Sequence, residues 1–471
     1  MSKATVAVIV GTRGFFPSSL ATEGRKDLLA ALKQLDIDPI IMPEDATPYG
    51  AVETLADAKK YAAYFSQHRD SIEGIIISLP NFGDELGIIE TLSRAKLNVP
   101  LLVQACDDTV SKMDLAHRRD SFCGKLSVCA NLDQHGFDFT NTTLHTCAID
   151  SQEFTSDLER FALICKTYNN LNGARLGMIG QRPDAFNTVR FSEKLLEASN
   201  IHVSTVDLST IIFGALNWSD TEAVKSKIKD ITGYGPVDDA TTNEQLEKQA
   251  KLILTIEKWV EDNECDATAI QCWDSIQKNY GCATCLCMSM MGENGKPSAC
   301  EVDVTGALTM LALRYASGGN APGYLDWNNN YNDERDKCVN IHCSNYPKSF
   351  IGKIDTIGNL DILGASLGED RCFGAIKGVV QPGPMTYAKI STDDLNGTVR
   401  MYVGEGEFTN DPINTAGGAA ICKVPGLQKL LDYMCHNGFE HHVAMVRGNC
   451  AGILAEVCEK YMGWDVYVHE T

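Results

Sequence analysis

Three short segments in the second half of the chain carry side chains suited to metal chemistry. They are Glu301 in ACEVDVTGAL, Asp326 in GYLDWNNNYND, and the pair His441–His442 in GFEHHVAMVRG. Two carboxylates and an imidazole drawn from distant parts of a chain make an oxygen-rich site for a small divalent ion. Such a site leaves coordination positions open for the hydroxyls of a ligand. An ion held in this way polarises a carbonyl and the neighbouring alcohol together. The pattern predicts an enzyme acting on a polyhydroxylated small molecule.

Each of these residues also has a plainer reading. Glu301 precedes VDVTGALTMLALRYAS, a segment with helical spacing, and a carboxylate there is often a cap or a dipole partner. Asp303, two residues on, could share that role. Asp326 and Asn328 lie in a stretch dense in Asp and Asn, which favour turns for local reasons; the spacing and closing Glu of a calcium loop are absent. His342, in NIHCSNYP, is a candidate further ligand or substrate hydrogen-bond donor. His441 and His442 are adjacent at the expected start of a strand, so their side chains should point to opposite faces and only one should reach a given site.

The elements that must position these groups follow an alternating pattern. Apolar strand-length runs at 4–11, 38–43, 72–80 and 99–106 are separated by helical periodicity at 24–36, 51–70 and 84–97. Continuous apolar strands between helices indicate a parallel sheet covered on both faces. The alternation restarts near residue 170, with strands at 174–180, 201–207 and 265–273 and helices at 186–199 and 243–263. After about residue 345, β-branched runs broken by Pro and Gly over 375–408 read as antiparallel strands and turns. A helix is expected at 426–438 and a strand from His441 to Val446. The fold class expected is α/β: two doubly wound, flavodoxin-like domains, at 1–170 and 171–345, followed by a smaller β-rich C-terminal domain at 346–471. The second would carry the metal carboxylates and the third the metal histidine.

Composition narrows the function classes. A length of 471 residues exceeds one core, and 44% hydrophobic with 22% charged residues is ordinary globular composition. The net charge of −21, from 62 acidic and 41 basic residues, argues against broad contact with nucleic acid or anionic membrane. The N-terminal apolar run is too short for a secretory signal, and no run approaches a membrane span, so a cytoplasmic location is expected. The 18 cysteines are scattered, which favours reduced thiols. Cys282, Cys285 and Cys287 form one C-x-x-C without a matching pair; burial on a packed helix explains them better than zinc.

Several cations fall on loops after expected strands, where open α/β sheets bind ligands. Arg13 lies in GTRGFFP, and Arg182 and Arg190 lie in GQRPDAFNTVR. Neither segment is a dinucleotide fingerprint or a P-loop. Recognition of an anionic sugar substituent and ordinary salt bridging are about equally good readings for each arginine. The segment 117–139 adds two arginines, a lysine and His135.

Together these segments resemble the L-fucose isomerase and L-arabinose isomerase superfamily. The specific part is the trio EVDVTGAL, LDWNN and HHVAMVRG, in family order. The resemblance implies that Glu301, Asp326 and His442 bind a Mn²⁺ ion, with Mg²⁺ or Co²⁺ as possible substitutes. It implies that Glu301 and Asp326 act as a base/acid pair on an open-chain aldose, through a cis-enediol. His342 matches another metal-site histidine of the arabinose branch. QHG at 134–136 looks like an element that reaches a neighbouring subunit, making His135 a residue contributed in trans. A homo-oligomer (hexamer, trimer or tetramer) with intersubunit active sites is implied. Arg13, Arg182, His135, His342 and Asn328 are the candidate substrate contacts. RRDSFCGKLSVC and GQRPDAFNTVRFSEKLL look like the fucose isomerase-like group, some of whose members are similar to isomerases of sulfoquinovose. Loop arginines would suit its sulfonate. Isomerases of L-fucose, D-arabinose or L-arabinose, a metal-dependent aldolase or epimerase, and a non-enzymatic sugar-binding protein are the alternatives.

Overall fold

The computed structural model describes residues 4–343 and 345–470. The chain divides into two compact units, Met1–Asn169 and Asn170–Thr471. It is a mixed α/β protein with parallel sheets toward the N-terminus and a larger mixed sheet toward the C-terminus.

The first unit is a five-stranded parallel sheet. Its strands are β1 (Thr5–Val10), β2 (Asp38–Ile41), β3 (Gly74–Leu79), β4 (Leu101–Ala105) and β5 (Thr140–Asn141), in the order β2-β1-β3-β4-β5. All six residues of β3 are buried. The reason is the alternation of side chains between faces. Ala7, Ile9, Ile75, Ile77, Leu101 and Val103 form one core with Tyr61, Phe65, Ile88 and Leu132 from the helices Leu55–Gln67, Glu85–Ala95 and Ser121–Gln134. Val6, Val8, Val10, Ile76 and Leu102 form the other with Leu28, Leu32, Phe154 and Phe161 from Ser18–Gln34 and Gln152–Leu171. A strand covered by helices on both faces is lined mainly by apolar side chains, with Ser78 and Gln104 buried but hydrogen-bonded to each other, which is why these runs read so clearly.

The second unit opens with a four-stranded parallel sheet of β6 (Arg175–Ile179), β7 (His202–Val206), β8 (Ala267–Ile270) and β9 (Ser298–Ala299), ordered β7-β6-β8-β9. Ten further strands follow. They are β10 (Gly323–Asp326), β11 (Asn329–Tyr331), β12 (Glu334–His342), β13 (Thr356–Asn359), β14 (Phe373–Val379), β15 (Gly383–Asp393), β16 (Thr398–Phe408), β17 (Gly418–Lys423), β18 (His442–Arg447) and β19 (Asp465–His469). The main path of this sheet runs β10-β18-β15-β16-β17-β12-β11. The helix Val304–Ala316 packs against β8 on one side and against β15 and β18 on the other. That placement explains a helix buried nearly all round, with Arg314 and Tyr315 its partly exposed residues.

One expected element differs. The helix expected at 186–199 is only Glu193–Ala198, capped by the Ser192 hydroxyl, which accepts from the Leu195 amide. Phe186 is drawn instead among aromatic rings, 6.0 Å from Trp273 and 5.7 Å from His442 between centroids. Among the described residues no helix is long and apolar enough to cross a membrane. Cys285 and Cys287 lie buried in the helix Cys285–Glu293, among other apolar side chains.

Candidate active site

Strand ends bring the chemistry together. β9 stops at Ala299, and the chain turns through Glu301 (φ 53°) and Val302 (φ 62°) into the helix Val304–Ala316. Both residues are in the left-handed region, which is costly for a β-branched side chain, about 1–3 kcal/mol. The turn places Glu301 beyond the C-terminal edge of a parallel sheet, where such folds present ligands. Asp303 caps the helix: its Oδ1 accepts from the Gly306 amide at 2.7 Å and the Thr305 hydroxyl at 3.0 Å. The capping role considered for Glu301 therefore falls to Asp303.

Asp326 ends β10 and His342 ends β12, while His442 begins β18. β10 and β18 are antiparallel, with Asp326 directly opposite His442. Four atoms converge. Glu301 Oε2 lies 3.4 Å from His342 Nε2 and 3.8 Å from His442 Nε2. Asp326 Oδ1 lies 3.8 Å from His342 Nε2 and 3.6 Å from His442 Nε2. Burial pushes the Glu301 carboxyl up, but His342, His442 and the Trp273 N–H outweigh it and hold it down to about 2. The carboxylate is thus an anion at any ordinary pH. Burial lowers the His342 imidazole, and Glu301 and Asp326 together raise it well above the usual value.

A second layer fixes His442. Its Nδ1 is 2.9 Å from Asp303 Oδ2, which also accepts from Lys389 Nζ at 2.6 Å and from the Tyr324 hydroxyl. Asp303, Lys389 and Tyr324 are fully buried. The Asp303 carboxylate on Nδ1 orients the ring so that Nε2 points at Glu301 and Asp326.

The convergent atoms face a cavity of about 430 Å³ lined by Phe186, Trp273, Asn328, Cys343, Asp361 and His441, among others. His441 lines it as well as His442, with Nε2 3.9 Å from Asp326 Oδ1. The expected split to opposite faces does not hold, because β18 starts at His442 and His441 lies in the preceding bend, outside strand alternation.

A family model described as fucose/sulfoquinovose isomerase, N-terminal domain, matches residues 7–172, and one described as L-fucose isomerase, C-terminal domain, matches residues 340–470. The chain belongs to the fucose isomerase-like family. It is an enzyme, an aldose–ketose isomerase. A sulfoquinovose isomerase of Priestia aryabhattai and one of Priestia megaterium are each 24% identical over 313 residues, covering 65% of this chain and 67% of the relative. A sulfoquinovose isomerase of Alkalicoccus urumqiensis is 23% identical over 301 residues, covering 62% and 65%. His342 and His442 lie within the second matched domain; Glu301 and Asp326 lie between the two matched segments, where geometry is the guide.

The remaining candidate contacts are placed as follows. Asn328 lines the cavity, its side-chain oxygen accepting from the Ile341 amide. Arg182 lines a different cleft, with Arg190 and Arg400, and its guanidinium donates to the carbonyls of Pro183 and Asp184. Arg13 belongs to the first unit; its guanidinium pairs with Glu85 and Asp84 and lies 4.3 Å from the Phe82 ring centroid. His135, also in the first unit, is exposed at the end of the helix Ser121–Gln134, with Nδ1 2.8 Å from the Asn131 carbonyl. The sequence reading missed Trp273, Phe186, Tyr324, Lys389 and Cys343. Only Trp273 carried a usable signal, being just past the C-terminal end of a parallel strand.

These donors fit a divalent cation. Glu301 Oε2 and Asp326 Oδ1 are buried and accept no hydrogen bond from any described residue. Buried carboxylate oxygens without hydrogen bonds are costly unless a cation lies close to them. Ligands held at about 2.0–2.2 Å from one ion stand about 3–3.5 Å apart, close to the separations here. Carboxylate oxygens and imidazole nitrogens together are ligands of first-row divalent ions.

Proposed function

We propose that this isomerase depends on a divalent ion, Mn²⁺ by preference, and interconverts sulfoquinovose and 6-deoxy-6-sulfofructose through a cis-enediol. The observation that carries the metal dependence is the convergence of Glu301, Asp326, His342 and His442, with two buried carboxylate oxygens that accept no hydrogen bond. When bound there, the ion would supply Lewis acidity toward a carbonyl and its neighbouring hydroxyl. Glu301 and Asp326 flank the same space, so one removes the proton from the carbon bearing the hydroxyl and the other returns a proton to the adjacent carbon. Trp273 steadies Glu301 by donating its N–H to Oε1 at 3.0 Å, and Asp303 steadies His442. Phe186 and Trp273 give the cavity an aromatic wall that limits water around the enediol. The sulfonated substrate is supported by the names of the relatives. His135, exposed in the first unit, is a side chain that a homo-oligomer could offer to a neighbouring cavity.

A second reading of the substrate has its own observation. No Lys or Arg lines the 430 Å³ cavity among the described residues, and Asp361 lines it. That favours an uncharged aldose such as L-fucose, D-arabinose or L-arabinose. A panel of these sugars with sulfoquinovose, followed by NMR in D₂O with Mn²⁺ and with EDTA, separates the two. Metal-dependent ketose carrying solvent deuterium at C1, with deuterium at C2 of the recovered aldose, supports the enediol route, and the fastest sugar names the substrate. Turnover that persists in EDTA overturns the metal dependence.

A further inference from the structure

The two oxygens of Glu301 face different chemistry. Oε2 faces His342 and His442. Oε1 faces Trp273 Nε1 at 3.0 Å, Cys272 Sγ at 3.4 Å and Cys343 Sγ at 3.9 Å. Cys300 stands behind them: Cys272 Sγ, Cys300 Sγ and a Glu301 carboxylate oxygen all lie within 4.8 Å of one another. We propose that this thiol-lined side of Glu301 is a second cation site, selective for soft divalent ions such as Zn²⁺ or Cd²⁺.

Three facts support it. The thiols come from three separate strand ends, following β8, β9 and β12, so their meeting is a product of the tertiary fold and not of one local turn. Two sulfurs and one carboxylate oxygen at this spacing suit a tetrahedral ion with bonds of about 2.3 Å to sulfur and about 2.0–2.2 Å to oxygen. Thiolates select soft ions, while the oxygen and imidazole atoms on the opposite side select harder ones. One carboxylate therefore divides a hard position from a soft one. Access is through Cys343, which is partly exposed and lines the 430 Å³ cavity.

The binding step balances without a redox partner. The cation forms bonds to the sulfurs of Cys272 and Cys300, whose two protons leave to the buffer. Glu301 contributes its existing charge through Oε1. No atom changes oxidation state. The site stands on geometry alone; its consequence for turnover, the capture of Glu301 away from substrate, rests on the proposed metal-dependent mechanism.

The test is Cd²⁺ titration of the reduced full-length protein in excess Mg²⁺, read by thiolate-to-Cd²⁺ charge transfer in the near ultraviolet. Wild type should show a tight phase that Mg²⁺ does not displace. The Cys272→Ser/Cys300→Ser variant should lose it or bind at least about tenfold more weakly. Absence of charge transfer, displacement by Mg²⁺, or an unchanged tight phase in the variant overturns the proposal, the last because other cysteines would then hold the ion. If the variant does not fold, X-ray absorption at the cadmium edge of the wild type decides. Two sulfur neighbours with oxygen support the site; an all-oxygen/nitrogen or all-sulfur shell overturns it. None of these readouts uses turnover, so failure here is distinct from failure of the isomerase mechanism. Inhibition of ketose formation by Cd²⁺ that excess Mn²⁺ does not relieve would add the functional consequence.

Discussion

Asp326 and His442 face each other across the antiparallel pair β10–β18, with Oδ1 and Nε2 3.6 Å apart. Backbone pairing, not loop conformation, sets that distance. Leu325 opposite Val443 and Tyr324 opposite Ala444 continue the same register into the core. A one-residue slip would turn Asp326 or His442 to the other face of the sheet and break the cluster. Sites built on regular elements hold their geometry better than sites on loops.

Replacing Glu301 by Gln keeps shape and removes the charge. The amide neither binds a cation as an anion does nor takes up a proton. Ketose formation should fall about 10²–10⁴-fold, with the circular dichroism spectrum unchanged. Wild-type rates in this variant would move the base elsewhere.

Metal removal should be visible in stability as well as in activity. Dialysis against EDTA should abolish turnover, and Mn²⁺ should restore it. The restored ion should raise the thermal midpoint, since a ligand present at 100 times its dissociation constant stabilises by about 2.7 kcal/mol. In the Glu301→Gln/Asp326→Asn variant, scanning fluorimetry should show little or no such rise.

Lys389 tests the support beneath His442. Lys389 and Asp303 are both fully buried and paired at 2.6 Å. Lys389→Met strands the Asp303 charge and should cost about 3–5 kcal/mol in urea unfolding. Adding Asp303→Asn should recover part of that loss while leaving His442 poorly oriented. The double variant should therefore unfold later than the single one yet bind Mn²⁺ more weakly than wild type by calorimetry.

Gly306 is a spacer for the same network. A Cβ there would stand 2.1 Å from the Tyr324 hydroxyl oxygen and 2.4 Å from its ring carbon. Tyr324 donates to Asp303, so the ring must move and take its hydrogen bond with it. Gly306→Ala should destabilise by about 1–3 kcal/mol in chemical denaturation, although Ala is the better helix former.

The fold was readable where both faces of a strand are covered. β1, β3, β4 and β6 are short, largely apolar runs because neighbouring layers cover them, and their bounds lie within a residue or two of those expected. Residues 186–199 show the limit. Their periodicity is helical, but Phe186 gains more among Trp273 and the histidines than in a helical turn. Glu301, Asp326 and His442 were legible as candidates because residue types suited to holding a metal are few and their surrounding segments resemble a known family. Lys389 and Tyr324 were not, since each looks like an ordinary strand residue until the tertiary fold sets it on Asp303. The adjacency of His441 and His442 suggested opposite faces, and only the start of β18 at His442 shows why both line one cavity.

Trp273 gives the enzyme an internal optical gauge. Its indole N–H is bonded to the Glu301 carboxylate, and its ring meets Phe186 edge-on. Whatever engages that carboxylate changes the electric field across the fluorophore. Emission from this one indole, isolated by substituting the other four tryptophans with Phe, would read occupancy of the cluster in real time, without a coupled assay or a labelled sugar.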